Sequence, residues 1–373
     1  MTGLYIHIPF CHDICTYCDF AKTVAKPKRK HAYINRLVKE IALSKESIKD
    51  VGTIYIGGGT PSSLALNDLS HVLATIQKTV DLDGVSEYTI ECNPEDISTT
   101  FIETIKDYGI NRVSLGVQSF DNRILTKMRR THNTNMIDNA LSLLRKHRIN
   151  NVSIDLIFAY PGQTLKMVLN DLDQAIKYEV NHLSYYALIL EDKTILNHQV
   201  THNQERVIDE ETEALMYTKV REKLIDAGYA HYEISNFAKP GYTSKHNMLY
   251  WTDQNYIGLG VGAHSYVYPK RYYHTRNIQQ YLEASEDYSD VIFEEASYPL
   301  QDACMMGLRL TRGLYVPEIN AKYKIDLFRV FPDINHYIDQ GLVVFENDYL
   351  RLTNQGRLLG NNVFSIFVEG SHA

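Results

Sequence analysis

The chain of 373 residues is poor in cysteine, with five, and in tryptophan, with one. It has no run approaching the roughly 18 consecutive apolar residues that cross a bilayer. Met1 to His7 shows no basic segment followed by an apolar one, so no secretion signal is read and a cytoplasmic location is expected. Contact with the periphery of a membrane is left open. Five cysteines over this length cannot form a disulfide scaffold, and 20 glycines with 10 prolines exclude collagen-like and low-complexity classes. No internal repeat is visible, and there is no surplus of positive charge. Lys and Arg number 38 against 45 Asp and Glu, and the net charge of −7 argues against a nucleic-acid partner.

What remains is an ordinary globular composition, 44% apolar and 22% charged, with length for two or three domains. Strand-like runs occur at Leu4 to Ile8, Thr53 to Ile56, Tyr88 to Cys92, Val113 to Val117, Val152 to Phe158 and Leu183 to Leu190. Between them, Tyr33-Leu37-Ile41, Leu66 to Val80, Ile137-Leu141-Leu144 and Leu165-Val168-Leu172-Ala175 have helical spacing. Strand-helix alternation of this length predicts a parallel α/β sheet, open or barrel-like, with chemistry at the C-terminal strand ends. Another amphipathic helix is read over Glu210 to Ala227, and the repeating unit is expected to end near 230. Residues 231–294 read as a connecting segment rich in aromatics and glycine. Residues 295–373 read as a small α/β appendage, winged-helix-like, with a hairpin over Leu342 to Leu352. The basic run Lys26 to Lys30 reads as a solvated entry to a helix.

Cys11, Cys15 and Cys18 are spaced C-x3-C-x2-C just after the first strand. A closed zinc site needs a fourth ligand, and no second Cys or His pair stands nearby; His7, His12 or Asp19 would have to serve. Three thiolates on a [4Fe-4S] cluster leave one iron open, and an open position is where chemistry occurs. Gly57-Gly58-Gly59-Thr60-Pro61 follows the second strand, where glycines admit a ligand close to the backbone; the Rossmann pattern fails for want of its third glycine. Glu91, Gln118 and Asp155 close or interrupt three strands, and a carboxylate inside an apolar strand is costly unless paired or used.

The stretch Tyr5-Ile6-His7-Ile8-Pro9-Phe10-Cys11 through Cys15-Thr16-Tyr17-Cys18-Asp19-Phe20 resembles the cluster loop of the radical S-adenosylmethionine (SAM) enzymes. Within that superfamily it is most similar to the branch of oxygen-independent coproporphyrinogen III oxidases and HemW-type haem chaperones. The resemblance implies a (β/α)6 partial barrel, TIM-like, with a HemN-type C-terminal domain. It also implies a [4Fe-4S] cluster on Cys11, Cys15 and Cys18 whose fourth iron binds SAM. Tyr5, Gly58, Gly59, Thr60, Glu91, Gln118, Arg130, Asp155 and Ala187 match SAM-contacting positions. The pattern departs at Ala159-Tyr160, where relatives commonly have Gly-Leu.

Phe20 stands where the decarboxylating oxidases have a further cysteine, and their extension before the first strand is missing ahead of Cys11. Both features resemble the chaperone subgroup, as do His246-Asn247-Met248-Leu249-Tyr250-Trp251 and Gly260-Val261-Gly262-Ala263-His264-Ser265. Haem requires an axial ligand and flat apolar walls, which His246 or His264 with Asn247, Tyr250 and Trp251 would provide. The expected function is a haem chaperone delivering haem to an acceptor protein, with an electron donor for its cluster. Oxygen-independent coproporphyrinogen III oxidation is the alternative.

Overall fold

The structure is a computed structural model and describes residues 1–284, 289–294 and 298–369. All six expected strands are present: β1 (Gly3–Ile8), β2 (Thr53–Gly58), β3 (Glu87–Cys92), β4 (Arg112–Gln118), β5 (Asn151–Phe158) and β6 (His182–Ala187). They pair in chain order and in parallel. The expected helices run over Pro27–Leu43, Leu66–Thr79, Thr134–Lys146, Leu165–Lys177 and Glu210–Asp226. Two helices, Thr99–Asp107 and Asn122–Lys127, lie where no helical spacing is read. The first is short and rich in β-branched residues, and it starts where Ser98 Oγ accepts from the Phe101 amide, a cap that offsets weak propensity.

Parallel strands covered on both faces usually read as unbroken apolar runs. Here they alternate. Ile54 and Ile56, Tyr88 and Ile90, Val113 and Leu115, and Ile154 and Leu156 are buried in one continuous core with the helices. The intervening residues, among them Tyr55, Glu91, Arg112, Ser114 and Asp155, border a cavity on the other face. Alternation with period two sends successive side chains to opposite faces, so the sheet has a helix-covered side and a polar side.

The sheet does not close into a barrel. β7 (Ala230–Glu233) and β8 (Asn236–Ala238) continue it antiparallel beyond β6. On the other flank β9 (Tyr256–Leu259) runs parallel to β1 and is followed outward by β10 (His264–Val267), β11 (Lys270–His274) and β12 (Val291–Phe293). The segment expected as a connector is thus woven into both ends of the sheet, because its short β-rich runs find open strand edges there. The expected limit between 294 and 295 adjoins residues outside those described, as does the end of the chain at 370–373.

The appendage has a core of its own that includes Cys304, Leu308, Phe331, Leu350 and Phe367. Its antiparallel strands β13 (Leu314–Tyr315), β14 (Val343–Glu346) and β15 (Tyr349–Leu352) are ordered β13-β15-β14 with helices alongside, and β14–β15 is the expected hairpin. It is hydrogen-bonded to the β7–β8 region, Thr311 N to Tyr232 O at 2.9 Å and Ile234 N to Arg309 O at 3.1 Å.

The outer flank is held to the first helix by a buried set of charges. His274 Nε2 lies 2.8 Å from Glu40 Oε1 and its Nδ1 2.6 Å from Asp290 Oδ2, while Arg36 stands 3.8 Å from Glu40 and 3.7 Å from Asp290. Tyr281 donates its hydroxyl to Glu40. Two buried carboxylates balance one guanidinium and one imidazolium, so His274 must be protonated for the charges to close. The carboxylates overcome the opposing effect of burial and raise its pKa to about 9. A histidine raised in the folded state stabilises fully below its ordinary pKa and loses that contribution as pH rises through the folded value. Stability on the order of 3 kcal/mol is therefore expected to fade between pH 6.5 and 9. Urea midpoints of the wild type should fall across this window and those of His274→Gln should not; a flat wild-type profile would refute the protonated clamp.

Candidate functional site

Cys11, Cys15 and Cys18 occupy the loop after β1, and all three border one cavity of about 460 Å³ with Gly58, Gly59, Thr60, Glu91, Gln118, Arg130, Asp155 and Ala187. The expected strand-end residues, apart from Tyr5, are thereby brought together. Among the described residues, no three His, Cys, Asp or Glu side chains are arranged to hold a single metal ion. The zinc alternatives are occupied elsewhere: His12 pairs with Asp96 at 2.8 Å, and His7 bonds the Ala21 carbonyl at 2.7 Å and the Tyr5 hydroxyl at 3.0 Å. Burial pushes the Cys11 thiol up to about 11 and raises Cys18 as well. Such thiols ionise when a metal supplies compensating charge.

The glycine run packs directly on the entry of this loop. A Cβ on Gly59 would stand 2.8 Å from the Pro9 carbonyl carbon and 2.9 Å from the Phe10 nitrogen. Gly59 N donates to Ile8 O and Thr60 N to Phe10 O, each at 2.8 Å, and Thr60 Oγ1 approaches Cys11 Sγ at 3.6 Å. Glu91 accepts from Gly58 N at 3.0 Å and Tyr55 OH at 2.7 Å, yet burial still raises its pKa to about 7. Burial also raises Asp155, whose carboxylate takes the Ser114 hydroxyl at 3.0 Å. Neither has a cation within 4 Å among the described residues. Gln118 ends β4 at a φ of 61°, after a bulge, and its Oε1 is buried without a partner. A strained residue with an unused acceptor is a recurrent sign of a ligand site. Arg130 donates to Asn93 Oδ1 at 2.7 Å and Gly116 O at 2.9 Å, and its Nη1 lies 3.4 Å from Cys15 Sγ. Carboxylates without a close ion-pair partner, an unused amide oxygen and three thiols on one cavity fit a cationic amino acid derivative beside a cluster.

Two cavity features go unread in the sequence. Arg112 lines the cavity while almost wholly buried, and its Nε has no partner; a charge inside the β4 run Arg112-Val113-Ser114-Leu115 was the available signal. The departure at Ala159-Tyr160 also reaches the cysteine loop. Tyr160 OH lies 2.9 Å from Thr16 Oγ1 and donates to Lys127 O at 3.0 Å, so it braces the loop between Cys15 and Cys18. Tyr5, expected against SAM, instead borders a second pocket of about 330 Å³ with Tyr250 and His264.

The expected haem residues are spread apart. Asn247 reaches the main cavity and Tyr250 the second pocket, while Trp251 faces the terminal unit beneath the Arg309 guanidinium, 4.7 Å from its ring centre. His246 is fully buried with both ring nitrogens engaged, Nδ1 to Thr53 Oγ1 at 2.8 Å and Nε2 to Tyr250 OH at 2.9 Å. That corrects its reading as a ligand: it is a satisfied core histidine, and burial lowers its pKa to about 3. His264 is exposed and stacked on Tyr273.

Ala159 adopts a φ of 61°, which costs a non-glycine residue about 1 kcal/mol. Ala159→Gly is expected to raise the unfolding free energy by a fraction of that amount, and Tyr160→Phe to lower it by about 1 kcal/mol through loss of the hydroxyl's two hydrogen bonds, Thr16 Oγ1 keeping its own bond to Lys127 O at 3.4 Å. Urea titration checks both, and an unaffected Tyr160→Phe would remove the bracing role.

Residues 5–175 match the Radical SAM superfamily, and residues 299–359 match the HemN C-terminal domain. The chain is 37% identical over 367 residues to the heme chaperone HemW of Lactococcus lactis, covering 98% of this chain and 96% of that protein. It is 35% identical over 376 residues to the heme chaperone HemW of Bacillus subtilis, covering 99% of each. Among solved structures, coproporphyrinogen III oxidase (HemN) from Escherichia coli superposes with a TM-score of 0.83 at 21% identity, over 98% of this chain and 89% of that one, which speaks for the fold. A three-cysteine loop at the mouth of an open parallel sheet, followed by a HemN-type terminal unit and related along its whole length to these chaperones, makes this chain a member of the HemW family of the radical SAM superfamily.

Proposed function

We propose that the chain is a haem chaperone that holds a SAM-coordinated [4Fe-4S] cluster, binds haem, and passes it to an acceptor protein. In this reading Cys11, Cys15 and Cys18 hold the cluster. Glu91 and Asp155 receive the cationic parts of SAM, and the backbone at Gly58 to Thr60 approaches its methionine end. Gln118, Arg130 and Ala187 complete the walls. The observation that carries the nucleotide site is the pair of buried carboxylates with raised pKa, neither ion-paired within 4 Å among the described residues, that share one cavity with three thiols. Bound there, cluster and SAM supply reductive chemistry fed by an outside electron donor. The chain's residues orient the ligand and keep bulk water from it. Support for the haem role comes from full-length likeness to proteins named as heme chaperones and from Phe20, 70% exposed, where the oxidase pattern has cysteine.

Anaerobically reconstituted wild type should carry one cluster by iron and sulfide analysis. Cys15→Ser should lose it, whereas Cys304→Ser, whose thiol lies in the terminal core, should keep it. Adding SAM should alter the electron paramagnetic resonance spectrum of the reduced cluster, and Asp155→Ala should weaken that response; no response in the intact protein would exclude the SAM site.

Haem titration should give a saturable Soret change and quench Trp251, while coproporphyrinogen III should survive anaerobic incubation. Formation of protoporphyrinogen without haem binding would favour the oxidase instead.

A further inference from the structure

Gln118 leaves β4 in a conformation that side chains disfavour, and the turn that imposes it is held by a residue outside the cavity. Ser119 N donates to Val117 O at 2.8 Å, closing a three-residue turn around Gln118 at its φ of 61°, the strained hand of such turns. Strain of this kind persists only where surrounding contacts over-determine it. The main contact here is Asp171, wholly buried on the helix Leu165–Lys177. Its Oδ2 accepts the Ser119 hydroxyl at 2.8 Å and its Oδ1 the Phe120 amide at 2.7 Å. Ser119 Oγ in turn accepts the Asp121 amide at 3.1 Å, and His132 Nε2 stands 3.0 Å from Val117 O at the other end of the turn.

Asp171 shares its helix face with Val168, Leu172 and Ala175, where packing alone calls for an apolar residue. It has no cation within 4 Å among the described residues, and burial raises its pKa to about 7. The titratable groups that reach it are Asp121 and the Tyr185 phenol on β6, while Lys223 of the helix Glu210–Asp226 is engaged by Asp173 at 2.6 Å. A carboxylate kept at such cost is explained by the two donors of the turn. Resting on the SAM reading above, we propose that Asp171 is a positioning residue of the nucleotide site: from the helix-covered side of the sheet it latches the Ser119–Phe120 turn and so keeps the unpartnered Gln118 Oε1 presented to the ligand.

Equilibrium binding of labelled SAM to anaerobically reconstituted full-length protein tests the latch. Asp171→Asn and Ser119→Ala each remove part of it from opposite sides, and each is expected to weaken SAM by about tenfold at pH 8 while iron and sulfide content stays at the wild-type level. Adding Asp171→Asn to Gln118→Ala should weaken SAM by no more than about twofold beyond Gln118→Ala alone, whereas the effects of Asp171→Asn and Glu91→Gln should multiply. Only the ionised carboxylate accepts both bonds, so the gap between wild type and Asp171→Asn should close to about twofold at pH 6; Glu91, which also titrates near 7, is common to both proteins. Unchanged SAM affinity in both latch variants, effects that multiply with Gln118→Ala, or a gap that does not vary with pH would overturn the latch while sparing the SAM site. A wild type that binds no SAM would overturn both.

Discussion

Parallel pairing from β1 to β6 is the constraint on which the rest of the molecule depends. Because neighbouring strands run the same way, their C-terminal ends fall on one rim, and the loops and last side chains of six distant segments meet there. A single antiparallel exchange within this set would send Glu91, Gln118 or Asp155 to the opposite rim. The same pairing brings the glycine run after β2 onto the cysteine loop after β1, at a distance only a missing Cβ permits. Site and fold are thus one arrangement: the hydrogen bonds that align the sheet also set the width of the cavity.

The strands were legible because their core-facing residues are β-branched and their lengths ordinary. Alternation carried further information, since polar residues at every second position of β3, β4 and β5 mark a face turned to a ligand cavity. The cysteine spacing and the glycine run were equally plain, being consecutive in sequence. Contacts that depend on pairing partners were not. Nothing in Tyr160 itself announces that its hydroxyl reaches Thr16, and nothing in His246 tells that Thr53 and Tyr250 consume both its nitrogens. The segment around 231–294 misled for a related reason. Its strands are only three to five residues long, and their place at the two flanks of the sheet depends on edges that β1 and β6 leave open.

The clamp around His274 adds direction to a flank that also packs apolar residues, among them Leu259, Val261 and Tyr281, into the main core. Four charged groups and a tyrosine hydroxyl stand beside that packing, and such an arrangement trades desolvation for direction. It fixes where β11 stands against the first helix, and so fixes the wall of the second pocket on which His264 and Arg276 are mounted.

Arg276 also has a thermodynamic consequence. Its guanidinium now serves Asp19, one residue beyond Cys18. Wherever a cargo carboxylate competes for that guanidinium, cargo binding and the conformation of the cysteine loop share a coupling free energy. Reciprocity then requires that any event which reshapes the loop change the affinity for cargo by the same factor that cargo changes the event. The chain would in that case respond to its own state of cofactor loading when it takes up or surrenders what it carries.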